Sequence, residues 1–258
     1  MFKQVRIAIL LYVLAFVAVA DYLASTRTTD WDATLWVDVY PINASGSARV
    51  EEYIAGLADV DFDAIERFLA REAGRHDIGL TEPFRIGLAE PIQAEIPELA
   101  ADASMIDALL WSLRMRWFAT RVRIRSERPG PDIQLFAVFH DESQVAILDR
   151  SAALERGLIA VANVFASTAA KGSNQVVMAH ELLHTLGASD KYVLGTNLPM
   201  FPQGYANPSA RPLHPQRKAE LMAGRIPIDA DTAEIPGNLD EVLVGPETAL
   251  EIGWLRLD

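Results

Sequence analysis

Residues 180–190, which read His-Glu-Leu-Leu-His-Thr-Leu-Gly-Ala-Ser-Asp, limit what this chain can fold into more than any other stretch. His180 and His184 are four residues apart, so on a helix both imidazoles lie on one face, close enough to bind a single zinc ion. Glu181 follows the first histidine and can reach a water molecule at that metal as a general base. The stretch therefore predicts a helix that carries a metal centre.

The residues after the second histidine predict how this centre is completed. Gly187 stands where a helix commonly ends in a left-handed turn, a conformation that glycine adopts without steric cost. Asp190, three residues further on, can then swing back as a third ligand. Three protein ligands leave the fourth position open for water, which is typical of a catalytic zinc site; a structural site is closed by four protein ligands.

Other interpretations of the motif stay open at this point. The simplest is an amphipathic core helix with two incidental histidines. In a different class of zinc peptidase the third ligand is a downstream glutamate, for which Glu220 is the candidate, and His214 is either a surface residue or an alternative ligand. The protein could also be an exported, non-catalytic zinc-binding protein. The intact Glu181 argues against that, because a structural site needs no base between its ligands.

The extended pattern resembles the zinc signature of the metzincin peptidases, in the snapalysin-like variant that has Asp in place of the third His. Residues 190–192 (Asp-Lys-Tyr) match the Asp-x-Tyr of that variant. Residues 220–224 (Glu-Leu-Met-Ala-Gly) are similar to its methionine-containing turn, the Met-turn. The match covers about 45 residues, from 180 to 224.

The resemblance implies a zinc-dependent endopeptidase with a metzincin-like α/β (α+β) fold. A mixed sheet with two helices is expected above a cleft, in about residues 30–187, and a loop-rich part below it, in about residues 188–258. Zn²⁺ would be held by His180, His184 and Asp190, with Glu181 as the catalytic base. Met222 would pack beneath the metal, because a thioether is a poor zinc ligand beside imidazole and carboxylate.

The same resemblance implies a peptide or protein substrate. The strand just before the zinc helix, residues 158–167 by order, is expected to be an antiparallel edge strand that lines the cleft and pairs with an extended peptide. Residues 195–215, rich in proline and glycine, would form one wall of the cleft. Tyr192 and Tyr205 are candidates for donating to the oxyanion, with plain packing as the alternative.

Residues 1–24 predict a targeting segment. Lys3 and Arg6 precede an unbroken apolar run over residues 7–20. The run ends in Ala-Val-Ala, which favours a cleaved signal peptide, whereas its extension to Ala24 approaches the length of an uncleaved membrane anchor. Either way the positive charges precede the run, so the single domain over residues 25–258 is expected to be exported. It would be anchored facing outward, or periplasmic or secreted.

Composition narrows the possible partners. A formal charge of −12 argues against nucleic acid, and the absence of cysteine excludes disulfides, thiol catalysis and cysteine-ligated zinc. Membrane contact is expected through the N-terminal segment alone. A basic cluster suggests a strand edge or a helix end with a solvated face, which either pairs with carboxylates or contacts anionic lipid beside an anchor. It comprises Arg114, Arg116, Arg121, Arg123, Arg125 and Arg128.

Periodicity predicts the remaining elements. Alternating β-branched and aromatic residues indicate strands over residues 34–42, 84–88, 133–139 and 158–165. Helical spacing indicates helices over 48–57, 63–73 and 105–118, with a short helix or strand over 247–257. Ser104 is expected to cap the third helix, and Ser173 or Asn174 the zinc helix. Three aromatic residues are expected in the core, namely Trp111, Trp117 and Phe118.

Overall fold

The structure is a computed structural model that describes residues 29–99, 104–126, 130–146, 148, 151–154 and 157–256. The predicted targeting segment, residues 1–24, lies outside the described residues, and so does Arg128 of the basic cluster. None of the helices within the described ranges combines the length and the apolar composition needed to cross a membrane.

A five-stranded sheet with the order β2-β1-β3-β5-β4 lies at the centre of the fold. Four of its strands are parallel: β1 (Leu35–Asn43), β2 (Phe84–Leu88), β3 (Ile133–His140) and β5 (Ile159–Phe165). The short β4 (Ala152–Leu154) runs antiparallel to β5 at one edge. β3 is apolar along nearly its whole length because both faces of the sheet are covered. The expected mixed sheet is confirmed.

Helices cover both faces of this sheet. On one face, α1 (Ala48–Ala55), α2 (Asp63–Arg75) and α4 (Lys171–His184) share a core with Leu135, Ala137 and Phe139 of β3. On the other, α3 (Met105–Arg125) packs against Phe136 and Val138. Alternate side chains of β3 thus point into two separate cores, as the period of a strand requires.

Residues 188–256 form short elements that continue the first core. β6 (Ala219–Glu220) pairs with β9 (Val242–Leu243), and β7 (Ile226–Pro227) pairs with β8 (Ala233–Glu234). The last helix is α5 (Pro246–Glu251). Trp31, near the start of the described chain, packs edge-on against Phe84 and Trp254 and donates from Nε1 to the Ile252 carbonyl at 2.8 Å. The beginning and the end of the fold are therefore joined in one core.

Several predictions from the sequence are corrected here. Among the described residues before residue 188, four α-helices, not two, accompany the sheet. α3 runs to Arg125 and not only to Phe118. Of the two settings predicted for the basic cluster, a strand edge or a helix end, the helix is therefore the one found for its arginines up to Arg125. Trp117 is 66% exposed and not in the core, whereas Trp111 and Phe118 do pack in it.

The edge strand was also predicted wrongly. β5 is an inner strand, parallel to β3, because the three-residue β4 precedes it in the chain and takes the position outside it. A strand of three residues carries too little periodicity to be read from a sequence. The antiparallel edge expected beside the cleft is therefore β4.

Candidate metal centre

α4 is held in place by its apolar face, which packs into the core that it shares with α1 and α2. Val176, Met178, Ala179, Leu182 and Leu183 are buried, as is Leu186 just beyond the helix. The predicted cap is wrong: the residue before the helix is Ala170, and its side chain caps nothing. Asn174 instead accepts from the Phe165 amide at 3.2 Å and donates to the Phe165 carbonyl at 2.8 Å. This side chain fastens the helix to the end of β5.

The helix ends in the turn that its sequence predicts. Gly187 has φ of +100°, in the left-handed region, and the Ala188 amide donates back to the Leu183 carbonyl at 3.1 Å. An L-residue with a side chain would be strained at such a φ. Because the chain reverses at this glycine, Asp190 is brought back beside the last turn of α4.

Three donor atoms converge at this place. Oδ1 of Asp190 lies 3.2 Å from Nε2 of His180 and 3.1 Å from Nε2 of His184. The two imidazole rings stand nearly perpendicular, with centroids 4.6 Å apart. Glu181 lies beside them, with Oε1 4.0 Å from Nε2 of His180. The structure thus brings together all four residues that the sequence predicts for the centre.

The separations of these atoms fit a zinc ion. Zn–N and Zn–O bonds of 2.0–2.2 Å in a tetrahedral arrangement place neighbouring donor atoms roughly 3.3 Å apart. Asp190 meets both histidines at 3.1–3.2 Å. One donor atom each of His180, Glu181 and His184 also lie within 4.8 Å of one another. Two imidazoles and one carboxylate form a donor set suited to a divalent zinc ion.

Backbone carbonyls orient both rings. Nδ1 of His180 lies 2.9 Å from the Leu221 carbonyl, and Nδ1 of His184 lies 2.7 Å from the Ala188 carbonyl. A carbonyl oxygen only accepts, so each Nδ1 carries the proton and donates. In the neutral ring Nε2 then keeps its lone pair, which is the form that binds a metal.

The charges at the centre shift the pKa values of its members. Burial alone would lower the pKa of His180, but the hydrogen bond to Asp190, the charge of Glu181 and the Leu221 carbonyl outweigh it and raise the pKa to about 9. Burial would raise the pKa of Asp190, and the hydrogen bonds to the two histidines outweigh it and hold the pKa far below its usual range. Without a metal, His180 and Asp190 thus form an ion pair at neutral pH.

The predicted Met-turn residues form a short 3₁₀ helix, Leu221–Ala223, that contacts both sides of the centre. Leu221 supplies the carbonyl for His180, and the Met222 carbonyl accepts from the Lys191 amide at 2.9 Å. Met222 is fully buried, as expected of a packing residue. The turn therefore ties the helix with the first histidine to the segment that carries Asp190.

Glu220, the candidate for an alternative third ligand, is fully buried and is used in holding this turn. One carboxylate oxygen accepts from the Ala223 amide at 3.1 Å, and the other accepts from the Gly245 amide at 3.1 Å and the Thr248 hydroxyl at 2.7 Å. Burial raises its pKa against the effect of these donors. His214, the other alternative, has Nε2 3.1 Å from the Tyr205 hydroxyl. Neither residue is among those that line the cleft at the metal centre.

A buried ion pair, which the sequence analysis missed, holds the segment after Gly187. Lys191 is 3% exposed, and its Nζ lies 2.7 Å from both carboxylate oxygens of Glu251 in α5. The same carboxylate accepts from the Ser189 amide and hydroxyl, so residues on both sides of Asp190 are fixed to α5. Lys191 and Glu251 are 60 positions apart, so no local pattern in the sequence reveals this pair.

The centre opens into a cleft of about 470 Å³. The residues that line it include Ala153 of β4, Trp111 of α3, Tyr192 and Ile235. Of the two candidate oxyanion donors, Tyr192 lines this cleft, whereas Tyr205 packs with Phe201 and His214. Tyr192 is therefore the better placed of the two.

In comparisons with known proteins, no family model matches the chain, and no curated protein matches it either. The shape and chemistry of the centre therefore carry the functional argument.

Proposed function

We propose that this protein is a zinc-dependent endopeptidase of the metzincin type, and that His180, His184 and Asp190 hold its metal. The observation that carries the proposal is the meeting of the two Nε2 atoms with Asp190 Oδ1 at 3.1–3.2 Å, beside a carboxylate and in an open cleft. The ion would act as a Lewis acid, polarising the scissile carbonyl and making water nucleophilic near neutral pH.

Glu181 is the residue that moves the proton in this proposal. Its side chain lines the cleft, and its Oε1 lies 4.0 Å from Nε2 of His180. As water attacks the peptide carbonyl, the carboxylate takes a proton from it and then delivers this proton to the amide nitrogen as the C–N bond breaks. Fixed on α4, the carboxylate needs no large rearrangement to serve both steps.

β4 orients the substrate. It is one of the two edge strands of the sheet, pairs with β5, and contributes Ala153 to the cleft wall. An extended peptide can add to such an edge through main-chain hydrogen bonds, which bind any sequence in the same register. Side-chain preference would then come from other residues that line the cleft, such as Tyr192 and Ile235.

The test is a peptide-library digest with the zinc-loaded protein and with the variant Glu181→Gln. We expect cleavage by the wild type, loss of cleavage on chelation and recovery on adding zinc. Glu181→Gln should bind zinc as the wild type does but cleave at least about a hundredfold more slowly, since it lacks only the base. A variant that cleaves as fast as the wild type would rule out this mechanism.

A further inference from the structure

α3 exposes an apolar stripe on the side away from the sheet. Its inner face packs through Trp111, Met115 and Ala119, all buried. The outer face carries large apolar side chains that are 56–89% exposed, which an ordinary surface helix avoids. These residues are Met105, Ile106, Leu109, Leu113, Trp117 and Ile124.

Helix geometry places these side chains in one stripe. With about 100° of rotation per residue, the six residues fall within roughly 120° of one another, nearly opposite Met115. The helix is therefore apolar on two faces, one packed in the core and one exposed. Trp111, which lines the cleft of the metal centre, lies on the opposite side of α3, so the stripe faces away from that cleft.

Arginines border the stripe on both sides. By the same rotation, Arg114, Arg121 and Arg125 lie beyond one border of the stripe, and Arg116 and Arg123 lie at its other margin, level with Met105. The helix has five arginines and one acid, a net charge of +4, in a chain whose formal charge is −12. Positive charge is thus concentrated on the same helix that exposes apolar side chains.

We propose that α3 lies on the surface of an anionic membrane. Apolar side chains, including a tryptophan, between two rows of arginine match the interfacial boundary of a bilayer, where the apolar stripe enters the acyl region and the guanidinium groups meet lipid phosphates. A protein surface that attracts anionic lipid on one helix and carries net negative charge elsewhere binds in one orientation. This contact is additional to any made by residues 1–24.

The absence of cysteine from the chain allows the stripe to be probed at single positions. Trp117→Cys in the full-length protein is labelled with an environment-sensitive fluorophore and mixed with vesicles of phosphatidylcholine, alone or with an equal share of phosphatidylglycerol. Val60→Cys is the matched control, because Val60 is 67% exposed and precedes α2 on the other face of the sheet. We expect a blue shift for the label at position 117 with anionic vesicles, and none for the label at position 60.

A second pair of variants tests the role of charge. The double variant Arg114→Gln with Arg121→Gln lacks two of the arginines. It should need about 25 times more anionic lipid to reach half of the fluorescence shift at position 117, or about five times more per charge removed. Arg67→Gln with Arg85→Gln removes two exposed charges elsewhere and should leave it unchanged.

Two results would overturn the proposal. One is an unshifted label at position 117 while the protein sediments with the anionic vesicles, because the stripe would then stay in water. The other is a shift that is already present without vesicles. If that shift depends on protein concentration, a second copy of the protein covers the stripe. If it does not, the chain's own N-terminal segment covers it.

Discussion

At the scale of single residues, two backbone carbonyls decide how the histidines present themselves. Because the Leu221 and Ala188 carbonyls each accept a hydrogen bond from an Nδ1–H group, both Nε2 atoms point at Asp190. In the absence of metal the pKa of His180 is raised to about 9, so at neutral pH its imidazole also carries a proton on Nε2, which faces Asp190. Metal binding has to displace that proton, so it is coupled to pH.

Zinc binding should therefore release about one proton at pH 7 from His180. Isothermal calorimetry in two buffers of different ionisation enthalpy measures this release. Zinc affinity should rise up to about tenfold per pH unit and level off above the pKa of about 9. Binding at pH 7 with no proton released would contradict the ion pair between His180 and Asp190.

The same ion pair predicts how the metal-free protein responds to pH. The pKa of His180 is raised from its ordinary value of 6.5 to about 9, so the pair stabilises the fold fully below 6.5. This contribution is lost as the pH rises through 9. Urea unfolding of the chelated protein should show the loss, and Asp190→Asn, which removes the partner, should show a smaller one.

At the scale of secondary structure elements, the short helix α5 fixes the segment that carries Asp190. Glu251 of α5 binds Lys191 and Ser189, one on each side of Asp190. The ion pair is nearly enclosed on the lysine side, so losing the carboxylate charge leaves a buried ammonium without its counter-charge.

Glu251→Gln should accordingly destabilise the fold by about 2 kcal/mol or more and weaken zinc binding through Asp190. Chemical unfolding and zinc titration measure the two effects. Glu247→Gln, on the exposed side of the same helix, is the matched control and should change neither. Wild-type zinc affinity in a destabilised Glu251→Gln protein would show that α5 does not position Asp190.

The sequence predicts elements well where one period dominates. β2 has the predicted bounds, and each end of β1, β3 and β5 lies within one residue of its predicted position. α3 was predicted to end at Phe118 because apolar residues on two faces followed by arginines show no single helical stripe. β4 was missed because its position depends on pairing with β5, which follows it in the chain.

In the metal centre, too, the parts that depend on local sequence are predicted and those that depend on distant residues are not. His180, Glu181, His184, Gly187 and Asp190 are local in the sequence, so helix geometry and one left-handed turn suffice to bring them together. The groups that hold them, such as the Leu221 carbonyl and Glu251, are 41 and more residues away and leave no local pattern.

At the scale of the whole molecule, α3 links the cleft to the proposed membrane surface. Trp111 lines the cleft from the inner face of the helix, while Trp117 faces outward, so about one helix diameter, roughly 10 Å, separates the two. If both proposals hold, the cleft opens close to the lipid and favours substrates at the membrane.

A peptide carrying a lipid tail should then be cleaved about tenfold or more faster on anionic vesicles than the same peptide free in solution, because both partners share one surface. The double variant Arg114→Gln with Arg121→Gln should lose most of this advantage and cleave the free peptide at the wild-type rate. An equal loss on both peptides would place those arginines in the function of the cleft and not in membrane contact.

The zinc content of purified variants tests the central claim most directly. Elemental mass spectrometry after dialysis should find about one zinc per chain in the wild type and in His214→Ala, and almost none in Asp190→Ala, whose missing oxygen lies 3.1 and 3.2 Å from the two Nε2 atoms. Full zinc in Asp190→Ala together with loss in His214→Ala would contradict the assignment of the metal centre.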